Sequence, residues 1–438
     1  MKLKALTSAI VLATLPMTGV FAAAMDRSGQ SVAAFLQPGN YFEAGLSVLD
    51  PSVSGTTSVA LGSQNTGSIA SDYYFPTAAL KVQATDHISL GLLYDQPFGA
   101  KADYKNQSTA FNPTGQDGTK AEVHTQNLTL LLGYQPNENW NFYAGPVYQE
   151  AKGSVALRGT AYNALGTTLA YDADLKNNQE WGWAAGLAFQ IPEIALKASL
   201  TYRSKIKHKL TADETLAGVD PNLAVKGGIA ALTRAGAEAA IPVGAPNRDA
   251  MIAGAVANAV AKVPAFTDGK TDVHTPQSVN LDLQSGIMAD TVAFLNVRWV
   301  KWDGFAIRPN DFGQALDALS TLPGQAALEG GDLVRYDKDQ WSVTTGVGRK
   351  FTEKWASNVS VGWDSGAGDP VTTLGPTKGY WNVGLGAQYS PAPNYFIAGG
   401  VKYFWLGDTN ALTVANPNVG EFKDNHAIAY GLKIGYRF

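Results

Sequence analysis

The chain has 438 residues, a formal net charge of −4, 45% hydrophobic residues and no cysteine. Without cysteine there are no disulfides, no thiol catalysis and no cysteine-ligated metal. The near-neutral balance lacks the basic face that nucleic acid requires, and the charged fraction of 16% lies well below the roughly 25% of soluble domains.

In chain order, Lys2 and Lys4 open a positive n-region, Ala5 to Phe21 is mostly apolar, and Ala22 and Ala24 fit a signal-peptidase site. A transmembrane anchor is the alternative, but the charge pattern and the small-residue end favour a signal peptide over 1–24. The mature chain then starts near Met25, outside the cytoplasm. No later run reaches the ~18 apolar residues of a membrane-spanning helix, so the remaining membrane option is a closed β-barrel.

Residues 25–39, "MDRSGQSVAAFLQPG", lack alternation. They read either as a disordered tail or as a hatch folded into the lumen, since a wide barrel encloses more space than its side chains fill. From there to the C-terminus at Phe438, period-two alternation recurs. "WASNVSVGWD" sets Trp355, Val359, Val361 and Trp363 on one face, and "GYWNVGLGAQYS" does the same with Trp381, Val383, Leu385 and Tyr389. Aromatic residues at the ends of apolar faces match the girdles of outer-membrane barrels.

The predicted strands are 40–54, 71–85, 87–104, 120–135, 140–157, 179–191, 194–210, 272–288, 291–306, 334–351, 355–364, 378–390, 394–407 and 425–438. The class is therefore all-β, a 14-stranded antiparallel transmembrane barrel over 40–438. Short turns alternate with longer connections, notably 211–271 and 307–333, which is the periplasmic and extracellular asymmetry of such barrels.

The third strand is broken. Pro97 cannot donate to a ladder and Gly99 permits a bend. Either this is a bulge that re-aims the strand, or Pro97, Phe98 and Gly99 border an opening in the wall. An open ladder facing bare hydrocarbon would cost several kcal/mol per unsatisfied group, roughly, so an opening must be lined by protein or ligand.

The 211–271 loop contains apolar helical patterns in "NLAVKGGIAALTRAGAEAA" and "DAMIAGAVANAVAKVPAF", and "DFGQALDALSTL" at 311–322 reads likewise. Leu223, Ile229, Leu232, Met251, Ile252, Val256, Val260 and Phe266 either capture a hydrophobic ligand or pack the helices on one another. Alternation places Arg203, Arg298, Lys402 and Lys433 inward, with Lys152 a further candidate; such bases either pair with lumen acids and hydrate the wall or meet a ligand's carboxylate by charge-assisted hydrogen bonds. Phe396 and Phe404 share the face of Lys402, and Phe35 and Leu36 of the hatch are candidates to touch the same ligand. The five histidines lack metal-ligand spacing, and no catalytic motif stands out, so neither enzyme nor cofactor is expected.

Together, "DRSGQSVAAFL" at 26–36, "PEIALKASLTYRSKIKH" at 192–208, "TPQSVNLDLQSGIMADT" at 275–291, "RWVKWDGF" at 298–305, "GVGRKFTEKWASNVSVGWD" at 346–364 and the C-terminal strand resemble the FadL family of outer-membrane long-chain fatty acid transporters. The early Asn-Pro-Ala motif of many members is absent. The resemblance implies an N-terminal hatch, a kinked third strand that opens sideways, and passive transport of long-chain fatty acids; the alternative is a channel for aromatic hydrocarbons. It also implies a monomer in the outer membrane of a Gram-negative bacterium. The partners expected there are outer-membrane lipid, lipopolysaccharide and, during biogenesis, the barrel-assembly machinery.

Overall fold

The computed structural model describes residues 25–163 and 170–438. The expected signal peptide, 1–24, lies outside the described residues. Fourteen antiparallel strands close into one barrel. In chain order they are β1 (Tyr41–Ser52), β2 (Tyr73–Gln83), β3 (Ile88–Asp95, resumed at Gly99–Asp103), β4 (Lys120–Tyr134) and β5 (Trp140–Leu157). There follow β6 (Tyr171–Ile191), β7 (Leu196–Arg203), β8 (Ser278–Met288), β9 (Thr291–Val300) and β10 (Gln340–Lys350). The last are β11 (Trp355–Asp364), β12 (Tyr380–Ala392), β13 (Tyr395–Leu406) and β14 (His426–Arg437). Each strand pairs with its sequence neighbours, and β1 pairs with β14 from Tyr41↔Arg437 to Ser52↔His426, which closes the ring.

The alternation in sequence becomes an inside and an outside. On β14, Ile428, Tyr430, Leu432, Ile434, Tyr436 and the following Phe438 are exposed outward, while Ala427, Ala429 and Lys433 are buried inward. Two rows of aromatic residues mark the limits of the apolar band. Trp363, Trp381 and Trp405 stand in register on one side, and Trp355 stacks near Tyr389, with ring centroids 4.7 Å apart, on the other. From Trp355 to Trp363 the rise is about 27 Å along the strand, or about 20 Å along the membrane normal at the usual tilt. The band therefore suits a bilayer core.

The turns on the Trp355 side are short, and the connections on the Trp363 side carry the added structure. There the extended runs expected at 194–210, 272–288, 291–306 and 334–351 break above the membrane. Their upper pieces pair locally instead, Ile206–Leu210 with Thr271–Thr275 and Phe305–Ile307 with Val334–Tyr336. Outside the bilayer nothing requires the ladder to stay closed, so local packing decides the pairing. Among the described residues, three α-helices join this cap: α1 (Pro221–Ala240), α2 (Arg248–Ala261) and α3 (Asn310–Ser320). Asp220 starts α1 by accepting the Leu223 N–H at 3.0 Å, with Pro221 at the first helical position.

A window in the wall, backed by the N-terminal segment

β2 and β3 pair only from Ala78↔Tyr94 to Gln83↔Ser89. Above that, the seam is open until Ala70 bridges Ala102 and the Asp103 N–H reaches the Ile69 carbonyl at 2.7 Å. The interval on β2 is Tyr73 to Thr77. On the other side β3 stays with β4, but moves from Asp95↔Asn127 to Gly99↔His124. It thus uses one residue more than β4, and Pro97 stands within the extra length.

On the β3 edge of this break, polar groups are met from inside. The Pro97 carbonyl accepts the Arg27 N–H at 2.6 Å, and the Gly99 N–H donates to the Met25 carbonyl at 2.8 Å. Asp26 forms an antiparallel bridge with Phe98. From the β4 side, the Thr125 hydroxyl accepts the Phe98 N–H at 2.9 Å and donates to the Phe98 carbonyl at 2.8 Å. The N-terminal segment therefore takes the place of the missing neighbour strand. The Arg27 guanidinium lies over Tyr73, 3.9 Å from the ring centroid, and 5.7 Å from that of Phe75. Gly99 leaves the room for it: a Cβ there would come within 2.3 Å of Arg27 Nη1. Phe98 turns into the lumen and meets Trp302 edge-on at 5.6 Å.

The rest of the segment crosses the lumen on a set of buried anchors. Arg298 pairs with Asp26 at 2.6 Å and donates to Gln30, Ser278 and Asn280. Arg203 donates to the Gln30 carbonyl at 2.9 Å, and the Asn280 amide to the Gly29 carbonyl at 2.7 Å. Ser28 is hydrogen-bonded to Asp95. Lower down, Lys197 reaches the Leu36 carbonyl at 2.7 Å and Lys81 the Gln37 carbonyl at 2.5 Å. Phe35 fits a notch over Gly91 and Gly133, whose absent Cβ atoms would lie 2.2 and 2.8 Å from its ring. Its ring centroid is 5.5 Å from that of Tyr143.

This segment separates two interiors. On the extracellular side a continuous apolar cluster includes Met25, Phe98, Phe111, Trp302, Phe312 and Phe404. Among the described residues, cavities there include one of about 30 Å³ under α3, lined by Leu157, Phe312 and Leu316, and one of about 40 Å³ behind the window. On the periplasmic side lies a cavity of about 450 Å³ with a mixed lining, polar at Asp282, Asn358 and Lys402 and apolar at Leu36, Ala79 and Leu93.

The residues singled out by sequence fall into distinct places. Pro97, Phe98 and Gly99 form the break. Arg203 and Arg298 face inward and grip the N-terminal segment. Lys402 lines the lower cavity, whereas Phe404 belongs to the upper cluster and packs on Tyr380 at 5.2 Å. Phe396 is buried low in the barrel, in the cluster with Phe35 and Leu36. Lys433 pairs with Glu43 at 3.0 Å, and Lys152 is exposed beside a bulge at Ala151 to Gly153. In the cap, Leu223, Leu232 and Met251 are exposed, Ile229 and Ile252 are buried, and Val256, Val260 and Phe266 are half-buried. The bases missed by sequence reasoning are Lys81 and Lys197 on the wall and Arg27 on the segment itself. For Arg27 the signal was present, as the one basic residue between Met25 and Asn40.

Among curated proteins, the chain is 27% identical over 204 residues to the long-chain fatty acid transport protein of Escherichia coli O6:H1, covering 42% of this chain and 44% of that protein. It is likewise 27% identical over 185 residues to the protein of that name from Salmonella typhi, covering 38% of this chain and 41% of the other. The aligned stretches span less than half of these relatives. Among solved structures, a Pseudomonas aeruginosa FadL homologue superposes with a TM-score of 0.68 at 14% identity, covering 96% of this chain and 98% of the other. The P. putida toluene transporter TodX gives 0.56 at 14% identity, covering 92% and 91%. The family model for outer membrane protein transport proteins (OMPP1/FadL/TodX) matches residues 24–438, and the chain belongs to that family of outer-membrane barrels.

Proposed function

We propose that this protein carries long-chain fatty acids passively across the outer membrane and releases them sideways between β2 and β3. The observation that supports this reading most is the position of the window: the seam between β2 and β3 opens at the level of the N-terminal segment, beside the apolar cluster above it and the mixed cavity below it. An acyl chain is favoured among the aromatic residues above the segment. The bilayer, reached through the window, is the next wholly apolar medium on the path. Exposed Leu223, Leu232 and Met251 of α1 and α2 offer the first apolar contact outside. Cavities of about 30 and 40 Å³ are far smaller than an acyl chain, so passage requires the cap and the N-terminal segment to move. The whole route lies within one barrel, which makes a monomer sufficient, in contact with outer-membrane lipid and lipopolysaccharide.

The curated relatives named as long-chain fatty acid transport proteins support the acid by sequence. Transport of an aromatic hydrocarbon is the second reading, favoured by the aromatic content of the upper lumen. The test is uptake of labelled oleate, with labelled toluene in parallel, by cells that lack their own transporter and express this chain. Oleate uptake is the expected result. Uptake of toluene alone would make this a hydrocarbon channel, and uptake of neither would refute both readings.

A further inference from the structure

Behind the window is the cavity of about 40 Å³, enclosed between the top of β2, the resumed part of β3 and the loop at 374–377. Most of its lining is apolar, yet three polar atoms among its lining residues are buried without a hydrogen-bond partner: Arg27 Nη2, Thr377 Oγ1 and Asp26 Oδ1. Arg27 is 8% exposed and Thr377 3%. Burying a donor without an acceptor is unfavourable, and two of them around one space of head-group size form a recognisable pattern: donors awaiting an oxygen ligand.

We infer that Arg27 and Thr377 form a binding site for the carboxyl group of the transported acid, placed directly behind the wall opening. This rests on the fatty-acid reading and deepens it by naming the residues that select an acid over a hydrocarbon. The guanidinium is already oriented by its stacking on Tyr73 and by its backbone bond to Pro97. Nη2 supplies a charge-assisted hydrogen bond to one carboxylate oxygen, and the Thr377 hydroxyl donates a second. Asp26 Oδ1 accepts the O–H of a head group that arrives protonated, and Arg298 offsets the Asp26 charge when the head group is ionised. Glu122, the other acid near Arg27, is held by Lys101 at 3.6 Å and His124 at 2.8 Å. A carboxyl group bound here leaves its chain beside the window, so recognition of the head and release of the tail happen at one place.

The test compares oleate with methyl oleate, which has the same chain and no charge. Initial uptake of both is measured in cells expressing the wild type, Arg27→Gln, Arg27→Lys or Thr377→Val. Folding of each barrel is checked by its heat-modifiable mobility. The acid-to-ester ratio should fall about tenfold or more in Arg27→Gln, corresponding to one lost hydrogen bond to a charged group. Arg27→Lys should restore part of it, since an ammonium keeps the charge but not the planar fork. Thr377→Val should lower the ratio by less, and it decides the matter if Arg27→Gln does not fold. A ratio unchanged in the folded variants overturns the site, as when Arg27 only fastens the segment or the cavity only holds water. If the wild type itself takes methyl oleate and toluene but not oleate, the fatty-acid reading fails and the site with it. Oleate uptake by the wild type with an unchanged ratio in the variants overturns the site alone.

Discussion

The wall between β13 and β14 and the wall between β2 and β3 are built from the same kind of strand. Both present apolar side chains outward. Yet the first is paired without interruption from Tyr395↔Tyr436 to Trp405↔His426, across the whole apolar band, while the second stops at Ala78↔Tyr94. What differs is the one extra residue and the proline between Asp95 and Gly99, Pro76 on the facing stretch of β2, and a segment of the same chain that pairs with the β3 edge from inside. The opening is thus a local defect whose β3 edge is met in advance by the N-terminal segment. A wall in a membrane can be interrupted where another part of the protein completes it, and what completes it can also move.

The sharpest way to break this contrast is to make the second wall like the first. Replacing Pro97 with Val, Phe98 with Thr and Gly99 with Val, and removing Gln96 to restore the register with β4, should zip β3 to β2 as far as Tyr73. The barrel should melt no lower than the wild type, and oleate uptake should drop to the level of cells without the protein. Uptake that survives in a correctly folded barrel would mean that the ligand leaves by another path. Next in size is the segment that closes the window. Arg298→Leu leaves Asp26 buried without its partner, at a cost of about 3–5 kcal/mol. Amide exchange over residues 26–37 should lose its protection while the β13 and β14 amides keep theirs. Equal protection in both regions would show that the other anchors suffice.

How much of this was visible in the sequence follows from the range of the interactions. Lipid acts on each outward residue separately, so alternation alone assigned the sides of Trp363, Leu385 or Arg298 correctly, and the three helices of the cap showed through their apolar periodicity. Alternation gives the side of the wall and not the partner. Arg298 meets Asp26 across 272 residues of chain, a pairing that no local pattern encodes. For the same reason Lys402 and Phe404 looked like one site. Two residues along a strand are about 7 Å apart, which is enough to put one in the lower cavity and the other in the apolar cluster. The ends of the upper strands were misread where alternation continued past the bilayer and packing in the cap decided the pairing.

The intact wall offers its own test. Leu385 lies on β12 midway between Trp381 and Tyr389 and is 62% exposed outward. Leu385→Arg should therefore lower barrel stability in lipid by about 2–4 kcal/mol, as for a charge facing the bilayer midplane. Uptake per folded barrel should stay unchanged, because no ligand crosses there. A selective loss of uptake would show that the two walls are not independent.

The smallest expected effect concerns the cap above both walls. Glu214 accepts the Asp311 and Phe312 N–H groups at 3.0 and 2.7 Å, and so caps α3 from a neighbouring strand, while Tyr171 donates to it at 2.8 Å. Burial pushes the Glu214 carboxyl above its ordinary value near 4.5. With the folded-state value raised, the folded cap binds the proton more tightly than the unfolded segment does. Its stability is therefore greatest in acid and declines as pH rises from about 4.5 through the raised value. Glu214→Gln keeps an oxygen for one N–H group and removes the ionisation. It should cost about 1 kcal/mol at most, and it should flatten that dependence. Exchange of the α3 amides, corrected for its intrinsic dependence on pH, reads both effects. If the wild-type α3 instead becomes better protected as pH rises, the three hydrogen bonds to the ionised carboxylate outweigh its burial, and the cap over the mouth is held by a charge.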